Sequence, residues 1–534
     1  MIKVMKRIFS LLFVLVGLMA HSYAQTDLVI QKIIQIGTVE NQTMKHLDVL
    51  CNQIGGRPVG SSAYGDAVVW AARQFQAWGM DVYLDEVGEL PVGFNRGPWF
   101  GRLLGDDPMT LHFATPSYTA GTKGIQRGHV LIEPKTQREF ERMKGKLNGA
   151  WVLISGESNG WPIDFSVKAN RRRDSIIAQN NEIEKKNDEI LRENWMNRSA
   201  NLPPKELIPL TEEPGLFYRQ MVEAGIHGII QSAPNPIRVL YDRKNVNNMV
   251  WDSLPQIPDI KLDENQYKII ERMARERQYF QLEFDIRNHF RPGPIAYHTV
   301  IGIIKGTEFP NEYVIMGGHL DAFDVATGAA DNAAGVASAM EAARLIMKAG
   351  GKPKRSILVC LWAGEEFVLL GSTSWVAKNN DKLQSISAMF NHDSGPTVAS
   401  SLSVPKPMLN DFTSICRPLN SINPNFPFTL KEATPRPKPK TLGGTDASPF
   451  LMAGVPAFHF GTEDIDGLDF SYQEIWHTER DTYDKCPANY MNHTSIVTAV
   501  VVYGIANLDH LLSRENLFAP DDKLKDGGKA KGKK

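Results

Sequence analysis

The chain has 534 residues, room for two to four domains at roughly 150 residues each. With 42% hydrophobic and 22% charged residues it reads as globular, which excludes a mostly disordered, collagen-like or polytopic membrane protein. Lys and Arg total 59 against 60 for Asp and Glu, so the net charge of −1 leaves no global footprint for nucleic acid, and four cysteines without a CxxC pair cannot build a disulfide-dense scaffold.

Lys3, Lys6 and Arg7 precede an apolar run from Ile8 to Ala20, followed by Ser22-Tyr23-Ala24. That is the layout of an export signal over 1–24, and the run is shorter than the ~20 residues that span a bilayer. The expected mature protein is periplasmic or secreted and has no membrane span. From 25 to about 115 the pattern predicts helices and one strand. Val68, Val69, Ala72, Phe75 and Trp78 share a helical face over Asp66–Trp78, and Met80–Leu84 reads as a strand. Gly and Pro break the pattern from Leu90 to Gly128. A second unit, 116–292, has predicted strands at His129–Ile132 and Ala150–Ile154, then a helix and strand over Phe217–Ile230, and ends at an Arg291-Pro292-Gly293-Pro294 linker.

Inside that unit lies a charged insertion, 167–213, where Ile176, Ile183 and Ile190 recur every seven residues. The spacing suits a coiled-coil or dimer helix. The polar residues at the intervening core positions favour a solvated helix leaning on its own domain.

From 293 to 514 the alternation is clear. Strands at Tyr313–Met316, Ser356–Trp362, Ile386–Phe390 and Pro456–Phe460 alternate with helices at Asn332–Ala349, Val368–Asn379 and Asp446–Ala453, before a final helix from Ala488 to Leu512. This order predicts an α/β fold, a mainly parallel mixed sheet flanked by helices. Cys360, within an apolar strand, reads as a buried free thiol. The lysine- and glycine-rich segment 515–534 reads as a disordered basic tail.

Ligands of open α/β sheets gather at the carboxyl ends of strands. Here those ends run into Gly317-Gly318-His319-Leu320-Asp321, Gly364-Glu365-Glu366, His392-Asp393-Ser394-Gly395 and Trp476-His477-Thr478, with Asp331-Asn332 just before an Ala-rich helix. One such Asp is usually a helix cap and one such His is usually structural. Two histidines and three carboxylates at successive strand ends form an N/O donor set suited to zinc. Adjacent Glu365 and Glu366 cannot easily serve one metal together, so one can bind while the other moves a proton. Asp321, two residues beyond His319, is placed to accept that imidazole's second N–H, or equally to cap a turn.

This set resembles the co-catalytic zinc exopeptidases of the MH clan, the family of aminopeptidase Y, carboxypeptidase Q and glutamate carboxypeptidase, and its order is most similar to carboxypeptidase Q. The resemblance covers about 296–512 strongly and 27–115 more weakly, including Gly55-Gly56-Arg57-Pro58-Val59-Gly60-Ser61. The middle unit is similar to a protease-associated domain inserted in the peptidase domain, through Gly145–Ile154 and Ala224–Ile230; the insertion 167–213 departs from that pattern. The resemblance implies two zinc ions: His319 and Asp393 on one, Glu366 and His477 on the other, and Asp331 between them. It implies a metal-bridging hydroxide as nucleophile, Glu365 as general base, Asp321 as catalytic support and a cis Asp331–Asn332 peptide. The implied substrate is a peptide or dipeptide, with no nucleic-acid partner, and the resemblance is compatible with a homodimer.

An aminopeptidase ranks first, on family frequency. A carboxypeptidase Q-like dipeptidase or carboxypeptidase follows, then a single-zinc glutaminyl cyclase. Arg436, Lys438, Lys440 and Gly443–Asp446 offer groups for either substrate terminus, or a solvated loop. Gly156-Glu157-Ser158-Asn159-Gly160 matches a serine-nucleophile turn, but Trp161-Pro162 stands where a helix should begin, so a plain turn is favoured.

Overall fold

The computed structural model describes residues 26–199, 201–241, 246–469 and 471–520. The export signal over 1–24 lies outside the described residues. Of the expected tail, 515–520 are described: Phe518 bridges Arg436, and the Ala519 N–H donates to the Arg436 carbonyl. Phe518 and Ala519 are therefore fastened by backbone pairing rather than lying in a free tail.

A six-stranded sheet carries the peptidase-like unit, in the order Asp81–Asn95, His289–Ile304, Arg355–Trp362, Phe309–His319, Ile386–Asn391, Ala457–Phe458. Its last four strands run parallel and the first two pair antiparallel. Side chains alternate across it. Val314, Met316, Ile357, Val359 and Leu361 enter the core beneath the helices Ser62–Ala77, Ala334–Lys348 and Ala488–Ala506. Ile315, Leu358, Cys360 and Trp362 face the other way, against Trp375 and Phe450 of the helices Leu370–Lys378 and Ala447–Met452. Both faces being covered explains why these strands read as continuous apolar runs.

Two boundaries differ from the sequence reading. The strand beginning at Asp81 continues to Asn95, through the stretch expected to break the pattern. Its partner is His289–Ile304, so the Arg-Pro-Gly-Pro segment is strand rather than linker, and the register shift at Leu90/Val92 falls at Pro91, opposite the segment that holds Pro292 and Pro294. The last helix stops at Ala506, where the Asn507 side chain donates back to the Tyr503 carbonyl and Arg355 takes the Leu508 carbonyl.

The long two-strand ribbon leads into a second unit. There a five-stranded sheet (Phe113–Ala114, Asp259–Asp263, Gly228–Ala233, Trp151–Glu157, Val130–Ile132) packs with a four-stranded one (Met109–Thr110, Trp99–Leu104, Gln281–Ile286, Gln126–Gly128) over Trp151, Ile230, Leu282 and Phe284. In the turn after Trp151–Glu157 the buried Ser158 hydroxyl accepts the Gly160 N–H, and no helix follows before Val167. Ser158 is therefore a turn residue rather than the nucleophile of an elbow. Among the described residues no helix is long and apolar enough to cross a membrane, and the four cysteines are buried and free.

The insertion forms one helix, Val167–Ser199, along which the chain returns in extended form. Asparagines, not isoleucines, make its seven-residue repeat. Asn180, Asn187 and Asn194 each donate to the carbonyl and accept the N–H of one residue of the returning chain, Thr211, Ile208 and Lys205 respectively, over 2.7–3.0 Å, and Asn180 also donates to the Lys135 carbonyl. Seven helical residues rise about 10.5 Å, close to the length of three extended ones, so the two spacings keep step. Asn187→Ala is expected to speed amide exchange at Ile208 by one to two orders of magnitude while leaving the six-stranded sheet protected, about 1–2 kcal/mol of local stability for a lost pair of bonds; exchange measured by mass spectrometry checks this.

Candidate metal centre and active site

Parallel strands deliver the site. His319 ends one strand, Glu365 and Glu366 follow Trp362, and Asp393 follows Asn391. Asp331 lies in the turn before the helix Ala334–Lys348, and its peptide bond to Asn332 is cis. His477 arrives from a loop after the short helix Tyr472–Ile475.

Asp331 divides its two oxygens. Oδ1 lies 3.0 Å from His319 Nε2, which is also 3.5 Å from Asp393 Oδ1; Oδ2 lies 3.0 Å from His477 Nε2, which is also 3.2 Å from Glu366 Oε2. Donor atoms of His319, Asp331 and Asp393 all fall within 4.8 Å of one another, as do those of Asp331, Glu366 and His477. Glu365 joins a third such group with His319 and Glu366.

The donors fit metal ions. Glu366 Oε1 is buried without a hydrogen-bond partner. Burial pushes Glu365 well above the ordinary carboxylate range, and Glu366, Asp393 and Asp446 add to the push against the pull of His319. Burial likewise raises Glu366 to about 7. Although burial opposes it, Asp331 is held below its ordinary value by hydrogen bonds from His319 and His477. His477 rises to about 9 despite burial, chiefly because Glu366 and Asp331 face it. Arg57, fully buried nearby, spends its guanidinium on the carbonyls of Gly55, Leu320, Thr327 and Gly328 and pairs with no carboxylate there. A buried cluster with this much carboxylate suits cations, and its mixture of imidazole and carboxylate suits zinc.

Asp321 does not use its carboxylate on His319. The imidazole Nδ1 meets the Asp321 backbone carbonyl at 2.9 Å, while Oδ1 stays 3.8 Å away. The carboxylate instead accepts the backbone N–H groups of Glu365 and Glu366, at 3.2 and 3.3 Å. The reason is the parallel pairing of His319 with Trp362, which sets the turn after one strand against the turn after the other. One residue thus orients His319 through its main chain and the Glu365–Glu366 turn through its side chain.

Three further groups border the site. Asp481 accepts the N–H groups of Ala330 and Asp331, at 2.5 and 3.2 Å, and so fixes the turn of the shared carboxylate. Asp446, fully buried, accepts from Ser372 at 2.5 Å. Tyr472 lies over Gly395, where a Cβ would fall within 3.0 Å of its ring. Asp481 was visible in sequence only as a neighbour of the His477 motif, and Asp446 only within Gly443–Asp446, a segment offered for a substrate terminus. Arg436, Lys438 and Lys440 lie in an exposed loop, with the Lys438 ammonium 6.0 Å from the Phe518 ring.

A mainly parallel sheet with paired His–carboxylate donors at its strand ends defines a metallopeptidase-type domain. Residues 299–502 match the model of peptidase family M28. The chain is 28% identical to carboxypeptidase Q of Xenopus laevis over 299 residues, 55% of this chain and 60% of that protein, so it spans about three fifths of that relative's length. Among solved structures it resembles a peptidase M28 precursor from Shewanella amazonensis, with a TM-score of 0.55 at 20% identity over 92% of this chain and 99% of that one. It also resembles BSAP, a zinc aminopeptidase from Bacillus subtilis, with a TM-score of 0.50 at 15% identity over 90% and 97% of the two chains. At these identities the structural likeness establishes a shared fold.

Proposed function

We propose that this chain is an exported metallo-exopeptidase holding two zinc ions. The observation that carries the reading is the division of Asp331 between two His–carboxylate sets, with Glu365 beside them. His319, Asp393 and Asp331 would hold one ion; Glu366, His477 and Asp331 the other. When bound, zinc supplies Lewis-acid polarisation of the peptide carbonyl and water of lowered pKa. Glu365 takes the proton of the attacking water and returns it to the leaving amine. Asp321 holds the Glu365 backbone so that this carboxylate stays beside the reacting group. Residues 116–292 act in this reading as a protease-associated-type insertion in the peptidase unit.

An aminopeptidase is the first form of this activity. Similarity to carboxypeptidase Q favours a dipeptidase or carboxypeptidase as the second. Purified mature protein is expected to contain near two zinc per chain by mass spectrometry and to show chelator-sensitive hydrolysis. Cleavage of Leu-p-nitroanilide supports the aminopeptidase. Cleavage of unblocked dipeptides without it supports the second form. One zinc, no peptide cleavage and cyclisation of an N-terminal Gln peptide would replace both with a cyclase.

A further inference from the structure

The loop that presents His477 is bound on both sides, and one of those sides is the second unit. Glu479, two residues on, exchanges a pair of hydrogen bonds with Ile237: its N–H donates to the Ile237 carbonyl and its Oε1 accepts the Ile237 N–H, each at 3.1 Å. Its other oxygen lies 2.6 Å from His112 Nε2. Thr478 forms an antiparallel bridge with Arg238, whose guanidinium stacks 4.9 Å from the Trp476 ring, and Trp476 in turn stacks on His477 at 4.0 Å. On the opposite side Asp481 grips the Asp331 turn.

His477 itself sits at φ 58°, in the left-handed region. A histidine keeps that conformation only where its surroundings over-determine it. Neither Ile237 nor His112 belongs to the peptidase sheet; both come from the unit reached through the long ribbon. The backbone that aims His477 is therefore held by a part of the chain more than two hundred residues away in sequence.

We propose that Glu479 is a positioning residue through which the second unit holds His477 in its metal-binding conformation, so that docking of this unit and metal binding by Asp331, Glu366 and His477 are coupled. The inference rests on the metal-site reading above. By linkage the coupling is reciprocal: metal on this half of the site tightens the docked unit, and loosening the dock weakens this half of the site. The other half, His319 and Asp393, meets this one at the shared Asp331 but takes no hydrogen bond from Glu479, and keeps its affinity.

The test is zinc titration of the metal-free full-length chain against a competing fluorescent chelator, in the parent, Glu479→Ala and Glu479→Gln. In the parent two equivalents bind tightly. In Glu479→Ala one of the two weakens by about 10–100-fold, the range for loss of a group that orients a ligand, and the other is unchanged. Glu479→Gln, which keeps an acceptor for the Ile237 N–H, recovers most of the loss. Amide exchange gives a second readout: zinc protects 235–241 in the parent and not in Glu479→Ala. Should the alanine variant not fold, His112→Ala removes half of the clamp and carries the same measurements. Two parental equivalents in a folded variant, or equal weakening of both, overturn the coupling alone. A parent that takes up no zinc overturns the metallopeptidase reading and the coupling with it.

Discussion

Glu365→Gln is expected to lower kcat by about 10²–10⁴-fold, the usual worth of a positioned general base, while leaving zinc content and melting temperature at parental values. The substitution is nearly isosteric and removes only the capacity to take and return a proton. The turn is not expected to move, because its backbone is fastened by the Asp321 carboxylate at the N–H groups of Glu365 and Glu366. The zinc measurement matters as much as the rate. Glu365 also lies within 4.8 Å of His319 and Glu366, close enough to act as a ligand. A base that is lost leaves two zinc per chain and a slow enzyme; a ligand that is lost takes zinc with it. Turnover within tenfold of the parent would remove Glu365 from the proton-transfer role.

Asp331→Ala has the second large effect, and its pattern differs from that of any other ligand. Its two oxygens serve His319 and His477 separately, each at 3.0 Å. Removing it weakens both metal equivalents by more than about 100-fold, beyond the cost of losing an outer-shell group. Asp393→Ala and Glu366→Ala weaken one equivalent each. Thermal melts show the same thing. Zinc at a thousandfold excess over its dissociation constant stabilises the parent by about 4 kcal/mol for each site filled and raises its melting temperature. In Asp331→Ala most of that shift is lost, while the melting temperature without zinc falls little, because the backbone N–H groups of Ala330 and Asp331 still reach Asp481. Two intact equivalents in Asp331→Ala would mean that the two donor sets are independent sites.

Most of the donor set was legible in sequence because a parallel strand both announces itself and ends in a defined place. Ile386–Asn391 reads as an apolar run and stops where Asp393 follows; Arg355–Trp362 does the same before Glu365 and Glu366. Asp321 was legible as a site residue, but its task was not. Whether its carboxylate faces His319 or the neighbouring turn depends on the parallel register of His319 with Trp362, which no local pattern encodes. The isoleucine repeat at 176, 183 and 190 pointed to a helix leaning on its own domain, and Ile176 and Ile177 do pack there, but the repeat did not show what pairs the helix with the returning chain. The side chains that fasten it are Asn180, Asn187 and Asn194, polar groups that a hydrophobic pattern passes over. The strand through Leu90–Asn95 was hidden by Gly and Pro, which a two-stranded ribbon tolerates at its register shifts.

The sequence by itself determined the α/β class, the strand–helix order after 293, and the residue types at each strand end. These follow from apolar periodicity and from chain direction, both local properties. Only the tertiary structure decided that the Asp321 carboxylate holds the Glu365–Glu366 turn, that Asp481 fixes the turn of Asp331, and that Ile237 and His112 reach across to Glu479. The contacts of Asp481 and Glu479 join residues separated by 150 to 367 positions, and the geometry of all of these is set by sheet register and by how two units dock. Periodicity carries no information about either.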